Sequence, residues 1–488
     1  MPAANVQTKW VTLSNTTIGT FMALVDSSIV LVSLPTIGRE LPGTNAAVLL
    51  WVVISYSLVT TVLLLTFGRL SDMFGRVRLY TLGFAVFTIG SGLASIAVDG
   101  GTLLAARVVQ GVGAGFLASN SAAILTDAFP ANERGRALGL NQVAAISGSI
   151  LGLVLGGILT TELGWRSIFW VNIPIGIVGT AWAYLRLREI HPPEKDARLD
   201  WGGNVTFGLG ITLTLVGVTL GALDGFAAAF EVIFALAGPV VLVLFVLVER
   251  RVVDPMFDLS LFRIRTFVVG NFAAHFSSLA RGAFTFVMIF YFQGILYLSA
   301  ERAGILLIPL SVAFAIVGPL SGTLSDRTGA RYLGTAGLLT SAVGFVLLIR
   351  FPADGPYPIL ALAMVLLGVG QGMFSAPNRA EVMSSVPAER RGVAAGTGVT
   401  FLNAGNLGSL ALGFAVLASS VPRATLGSIF AGATSSGPPD VGAFMGALHL
   451  LFTIGLVLTL LAAFINLLRS PRANGVDARG RASASGDP

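Results

Sequence analysis

The chain has 488 residues, 54% of them apolar and only 11% charged, with 59 glycines and no cysteine. That charged fraction is under half the ~25% usual in soluble domains, too little to coat a water-exposed surface, so a soluble enzyme, a disordered chain and a disulfide scaffold are all excluded. The formal net charge of +6 comes from 30 Lys and Arg against 24 Asp and Glu; in so apolar a chain it reads as membrane orientation rather than nucleic-acid binding.

Crossing a hydrocarbon core of ~30 Å takes about 20 apolar residues as helix. Fourteen runs qualify, at 11–34, 47–67, 79–98, 101–121, 137–160, 167–187, 203–223, 228–248, 267–292, 303–321, 332–350, 357–377, 393–418 and 443–467. A barrel would show short alternating segments instead, and helices satisfy their own backbone in lipid. The predicted fold class is therefore an all-α polytopic membrane protein. With the N-terminus inside, 23 of the 30 Lys and Arg fall on the side of the termini and 5 on the other, while Arg107 and Arg281 lie within runs. A missed span would reverse every later loop and erase that bias, so both termini are expected in the cytoplasm.

In chain order, the first run reads MALVDSSIVLVSLP over 22–35 and holds Asp26 at its middle. A charged side chain there costs ~2.5–3.5 kcal/mol on insertion scales, which makes it a functional candidate; a structural acid pinning a neighbouring helix is the alternative. The run is too long for a signal-peptide core, so no cleavable leader is expected. The second run carries Tyr56, and the loop after it reads Gly68-x-Leu70-x-Asp72-x-x-Gly75-Arg76-x-Arg78. The fourth contains Arg107-x-x-Gln110-Gly111-x-Gly113-x-Gly115, with Asp127 past its end. Since Arg keeps its proton, Arg107 can hold Asp26 only while the acid is ionised, which makes the two a candidate proton switch. The fifth run places Gly148, Gly152 and Gly156 on one face, followed by Gly157. Trp165-Arg166 and Asn172-x-Pro174 open the sixth as an interface anchor. Runs nine to fourteen contribute His275, Arg281, Tyr291, Gln293, Asn403 and Asn406 as central polar residues. Residues 469–488 are rich in Arg, Gly and Ser and are expected to be a disordered tail.

The chain repeats itself. Gly68, Leu70, Ser71, Asp72 and Gly75 recur 254 residues later as Gly322, Leu324, Ser325, Asp326 and Gly329, with Ala330 where Arg76 would fall. Gln110-Gly111 recurs as Gln371-Gly372, and Pro130-x4-Gly135 as Pro387-x4-Gly392. Both copies of the loop lie on the same side, so the halves are parallel, an arrangement suited to a transporter with one site between two bundles. The predicted organisation is a six-helix bundle over 1–190, two inserted helices over 191–262, a second bundle over 263–468 and a tail over 469–488.

These motifs resemble the major facilitator superfamily, and within it the fourteen-helix drug:proton antiporter branch. The resemblance implies that Asp26 is the proton-linked carboxylate, with Arg107 beside it. It implies that Gly68, Asp72, Gly75, Arg76 and Arg78 form a conformational latch closed by Asp127, weaker in the second half, where Asp326 faces Ala330. It makes Gly148, Gly152, Gly156 and Gly157 the antiporter motif, although Leu153 stands where the family has proline. The implied function is proton-driven export of amphipathic drugs across a bacterial inner membrane by alternating access. The alternative is export or flipping of an endogenous lipid, siderophore or metabolite. The expected partners are an amphipathic substrate, protons and lipids, with no nucleic acid, no cofactor beyond the proton gradient, and a monomeric chain. No P-loop, H-E-x-x-H or G-x-S-x-G is present, which excludes the corresponding enzymes. Tyr56, Gln110, His275, Arg281, Tyr291, Gln293 and Asn403 are the candidate cavity residues. Asp26, Arg107 and Arg281 together leave about one positive charge, so the substrate is expected to be neutral, anionic or at most monocationic. Arg281 reaching a lipid headgroup is the other reading of that residue.

Overall fold

The computed structural model describes residues 6–130, 133–190, 199–224, 229–252, 255–387, 390–431 and 440–469. Of the predicted tail 469–488, residues 470–488 lie outside them, and Arg469 is buried rather than part of a tail. Among the described residues fourteen helices are long and apolar enough to cross a membrane, and no strand occurs. They are α1 (Lys9–Glu40), α2 (Ala46–Phe74), α3 (Arg76–Ser95), α4 (Gly100–Ala128), α5 (Arg134–Leu163), α6 (Ser167–Arg186), α7 (Trp201–Leu223), α8 (Ala229–Glu249), α9 (Arg265–Ile295), α10 (Ala300–Ser325), α11 (Ala330–Ile349), α12 (Tyr357–Ser384), α13 (Arg391–Ser420) and α14 (Val441–Leu467).

Most helices outrun their apolar segment, because nothing in the polar interface forces the backbone to stop. They begin where a side chain can take up the free N–H groups. Asn45 accepts from the Val48 N–H at 2.9 Å ahead of α2. Asp99 accepts from the Thr102 N–H at 2.7 Å while Thr102 Oγ1 accepts from the Asp99 N–H at 3.1 Å, a reciprocal cap on α4. Those bonds hold the Asp99 carboxyl below its ordinary range. α9 departs from the single run predicted for it: it is α-helical over Arg265–Arg281 and Phe284–Phe290 and π-helical over Tyr291–Ile295.

Helices α1–α6 pack on one another, as do α9–α14, while α7 and α8 form a hairpin. That hairpin is a bridge rather than an appendage. α7 lies against α2 of the first group and α13 of the second. Thr66 of α2 bonds Asn204 of α7, and Phe207, Phe245 and Phe257 gather Leu65 and Phe401 around them.

Two faces of the seam between the groups differ. On the face away from the termini, one continuous buried core runs through α1, α2, α9 and α13. Gln293 of α9 donates to the Val32 carbonyl of α1 at 2.8 Å. A Cβ on Gly157 would sit 2.5 Å from the Glu301 Cα, and one on Gly304 would collide with the Leu153 carbonyl oxygen. A short helix, Arg423–Ala431, roofs this face, with Phe430 stacked on Phe290 at 4.0 Å. It is too short to span, so counting apolar runs does not find it. On the face that carries the termini the buried clusters belong to one group or the other, and a Cβ on Gly68, Gly135, Gly139, Gly318 or Gly392 would meet nothing. Among the described residues the seam is thus sealed at one end and parted at the other, apart from the α2–α13 flank that α7 covers.

The close approach of α5 and α10 leaves no room for a side chain. Gly157→Val is expected to force the sealed face apart. With no native cysteine, spin labels on Thr44→Cys and Asp354→Cys report it without background: the inter-label distance should lengthen by several ångström, and an unchanged distribution would refute the packing described.

Candidate functional site

The site is assembled by glycines. A Cβ on Gly113 of α4 would collide with the Phe87 N of α3, one on Gly90 of α3 would lie 2.6 Å from the Gln110 N, and one on Gly111 would lie 2.9 Å from the Tyr56 carbonyl of α2. α4 is therefore wedged between α2 and α3 at backbone contact. On the other side, Cβ atoms on Gly148, Gly152 and Gly156 would meet the carbonyls of Phe21, Val25 and Ile29 at 2.7 to 2.9 Å. The α5 stripe thus rides along α1 on both sides of Asp26.

This packing brings Asp26, 0% exposed, onto Arg107, 1% exposed, with Oδ2 2.6 Å from an Arg107 terminal nitrogen. The other carboxylate oxygen accepts from Gln110 Nε2 at 2.7 Å and from Asn172 Nδ2 at 2.8 Å. Arg107 donates further to the Val52 carbonyl at 3.1 Å and to Gln110 Oε1 at 2.6 Å, and it lies 4.3 Å over the Tyr56 ring. Gln110 Nε2 also donates to Ser91 at 2.8 Å. Five helices therefore share one network around this carboxylate. A buried ion pair is sustained only when its remaining donors and acceptors are also satisfied, and this one is nearly so. Chemically, the site can hold an ionised acid without water. Protonation would cancel the charge that Arg107 opposes.

A second cluster lies at the terminal face. Arg76 meets Asp127 at 2.7 Å and Asp72 at 2.8 Å. Gly75 has φ +106°, a turn that L side chains rarely adopt. Arg78 joins through its backbone, donating to Glu189 at 3.0 Å, and Gly68 makes no close approach in this conformer. In the second half Gly329 repeats the turn at φ +78°, and the Asp326 side chain lies outside the described residues. The second half holds a different buried charge pair at this face. Arg469, just past α14 and 1% exposed, meets Glu381 of α12 at 3.0 Å and also bonds Asn378.

Of the predicted cavity residues, Tyr56 and Gln110 belong to the Asp26 network instead. Tyr291 is buried and donates to the Ala353 carbonyl at 2.9 Å, and Gln293 ties the sealed face. His275 packs edge-on against Phe276 and Phe401, with Nδ1 3.0 Å from the Phe401 carbonyl. These departures share one cause: a polar residue inside an apolar run looks the same in sequence whether it faces a cavity or a neighbouring carbonyl. Arg281 and Asn403 are half-buried. Sequence reasoning misses Asn172 and Ser91. Asn172 reads there as part of the Trp165–Arg166 anchor, and its signal is an amide at the start of an apolar run.

The sequence profile described as the Major Facilitator Superfamily matches residues 16–410 and again 272–485. The chain belongs to this superfamily. Within it, the riboflavin transporter RibZ of Clostridioides difficile is 34% identical over 84% of this chain and 88% of its own length. The multidrug resistance protein Stp of Mycobacterium tuberculosis is 33% identical over 85% and 76%. The cephamycin export protein CmcT of Amycolatopsis lactamdurans is 34% identical over 84% of each. Among solved structures, a D-xylose–proton symporter superposes with a TM-score of 0.66 at 16% identity, covering 96% of this chain and 99% of that one. A bacterial Spinster homologue, described as inward-facing and unoccupied, gives 0.66 at 15%, covering 95% and 97%. The chain is thus a transporter and not an enzyme, with the fourteen helices of the superfamily's drug-efflux branch.

The two charge clusters at the terminal face differ in burial, so their removal should differ. Exposed pairs are worth ~0.2–1 kcal/mol, whereas breaking a buried one costs ~3–5 kcal/mol. The Arg76 side chain is 30% exposed and that of Arg469 0%. Arg469→Ala is expected to lower the thermal midpoint in detergent by several degrees more than Arg76→Ala; equal shifts would contradict the burial argument.

Proposed function

We propose that the chain exports amphipathic small molecules in exchange for protons, with Asp26 as the proton-carrying group and Arg107 as its fixed counter-charge. The observation that carries this reading is a fully buried carboxylate held by one guanidinium and two amide donors in the middle of a bundle. An ionised acid there is tolerable because Arg107 neutralises it. A protonated one strands Arg107, so each protonation state favours a different packing of α1 against α4. The glycine stripe on α5 gives α1 a smooth surface along which to move. With Asp26 sealed from solvent, proton exchange requires that movement, and a sealed acid does not leak protons.

The excess of Lys and Arg assigns the parted face to the cytoplasm. In the proposed cycle the present conformer, with Asp26 paired to Arg107, is the one that loads substrate from within. Proton uptake from outside then follows substrate release. The resistance and export proteins among the relatives support outward transport of drug-like molecules. A second reading, export or flipping of an endogenous compound, is favoured by the equal similarity of a riboflavin transporter.

Asp26→Asn is expected to abolish substrate accumulation driven by a pH gradient in proteoliposomes while downhill exchange persists. It should also lower the thermal midpoint, because Arg107 loses its counter-charge. Asp26→Asn combined with Arg107→Gln should restore the midpoint but not the gradient-driven flux. Full gradient-driven flux in Asp26→Asn would move the proton site elsewhere.

A further inference from the structure

Asp26 and Arg107 neutralise each other, which leaves one mid-membrane charge without a function. Arg281 is the seventeenth of the 31 residues of α9, close to the bilayer centre by helix length. Its Nε is buried and has no hydrogen-bond partner. Among the described residues it forms no ion pair, and the acids of the last six helices, such as Glu301, Glu381 and Asp440, sit near helix ends rather than at mid-depth. An arginine at this depth is costly to bury and marks a functional site by default.

Its direction follows from its neighbours. Gly270 and Ser277 lie eleven and four residues earlier, on the same face at 3.6 residues per turn. Gly270 meets Asn378 of α12, whose Nδ2 donates to its carbonyl at 3.1 Å, and Ser277 donates to Gln371 Oε1 of α12 at 3.2 Å. The next residue, Gly282, seats on Asn406 and Ser409 of α13. Arg281 therefore projects into the sector between α12 and α13, while Phe272, exposed and edge-on to Phe401, lies on another face of α9. α13 also contacts α2 across the seam, where Gly396 meets Leu65. The repeat sharpens the contrast. Gly148 of α5 seats on Phe21 of α1 as Gly405 of α13 seats on His275 of α9, so α1 and α9 are counterparts with opposite charge at nearly the same level. Gln110 binds the acid in one half; its counterpart Gln371 accepts from Ser277.

We propose that Arg281 is the anion-recognising residue of the substrate site, so that the chain accepts amphipathic molecules carrying one carboxylate, sulfonate or phosphate. The proposal rests on the transporter reading above but not on proton coupling. A guanidinium with free donors is suited to paired bonds to such a group, and a charge the protein leaves uncompensated is compensated by the cargo. The anion can belong to a free amphiphile or to a lipid headgroup.

The test is equilibrium binding without any gradient, using protein in phosphatidylcholine nanodiscs and three probes on one skeleton: dansylglycine (anion), its methyl ester (neutral) and dansylcadaverine (cation). The native protein should bind the carboxylate at least tenfold more tightly than the ester or the amine. Arg281→Gln should erase that preference while leaving ester binding unchanged, and Arg281→Lys should keep part of it. The thermal midpoint of Arg281→Gln should hold or rise, since an unpaired charge at mid-membrane depth is removed; a fall would indicate a structural role. Equal binding of carboxylate and ester by the native protein, or an unaltered preference in Arg281→Gln, overturns the proposal. Phosphatidylglycerol in the nanodisc that competes with dansylglycine identifies a headgroup as the anion, and absence of competition identifies a free amphiphile. Because this binding assay has no gradient, failure of proton coupling in the flux assay and failure of anion recognition here read out separately.

Discussion

A carboxylate and a guanidinium locked together at zero exposure impose the main constraint on this molecule. Neither Asp26 nor Arg107 could sit in hydrocarbon alone, and the pair is tolerable only because Gln110, Asn172 and the Val52 carbonyl supply further bonds. That requirement reaches far into the packing. α4 must approach α2 and α3 to backbone contact, which explains the glycines at 90, 111 and 113, and α1 must lie flush on α5, which explains those at 148, 152 and 156. Small residues here substitute for the hydrophobic effect, which does not drive helices together in lipid.

The same device seals one end of the seam. Gly157 and Gly304 let α5 and α10 touch backbone to backbone, Gln293 ties α9 to α1, and the helix Arg423–Ala431 closes over them. At the terminal end, glycines of the same kind meet open space. A set of small residues that can close one end while its counterparts stand apart at the other is what a two-state packing requires, since packed interfaces switch between arrangements rather than deform continuously.

The two halves share a plan but divide the chemistry. The first carries the compensated acid; the second carries Arg281 and no central acid. The latch residues follow the same pattern: Arg76 has no counterpart at Ala330, and the buried pair of the second half is Arg469 with Glu381. The α7–α8 hairpin breaks the symmetry further by covering the α2–α13 flank, which leaves the opposite flank as the less obstructed one.

Chain-local properties are legible in the amino-acid sequence alone: fourteen spans, an internal repeat, the depth of Asp26 and Arg107, and the glycine spacings. Each depends only on how many apolar residues lie in a row and which residues share a helix face. Contact between Asp26 and Arg107 is inferable because two opposite charges in lipid must find each other. Facing is not legible. Tyr56, Gln110, Tyr291 and Gln293 read as cavity residues and are instead bonded to helix carbonyls or to the acid, while nothing in the chain marks Asn172 as a partner of Asp26 or Ser91 as a partner of Gln110. A polar side chain in an apolar run must be satisfied somewhere, but sequence does not say by whom. The rotation of each helix about its axis decides that, and the rotation is settled only when all fourteen helices pack together.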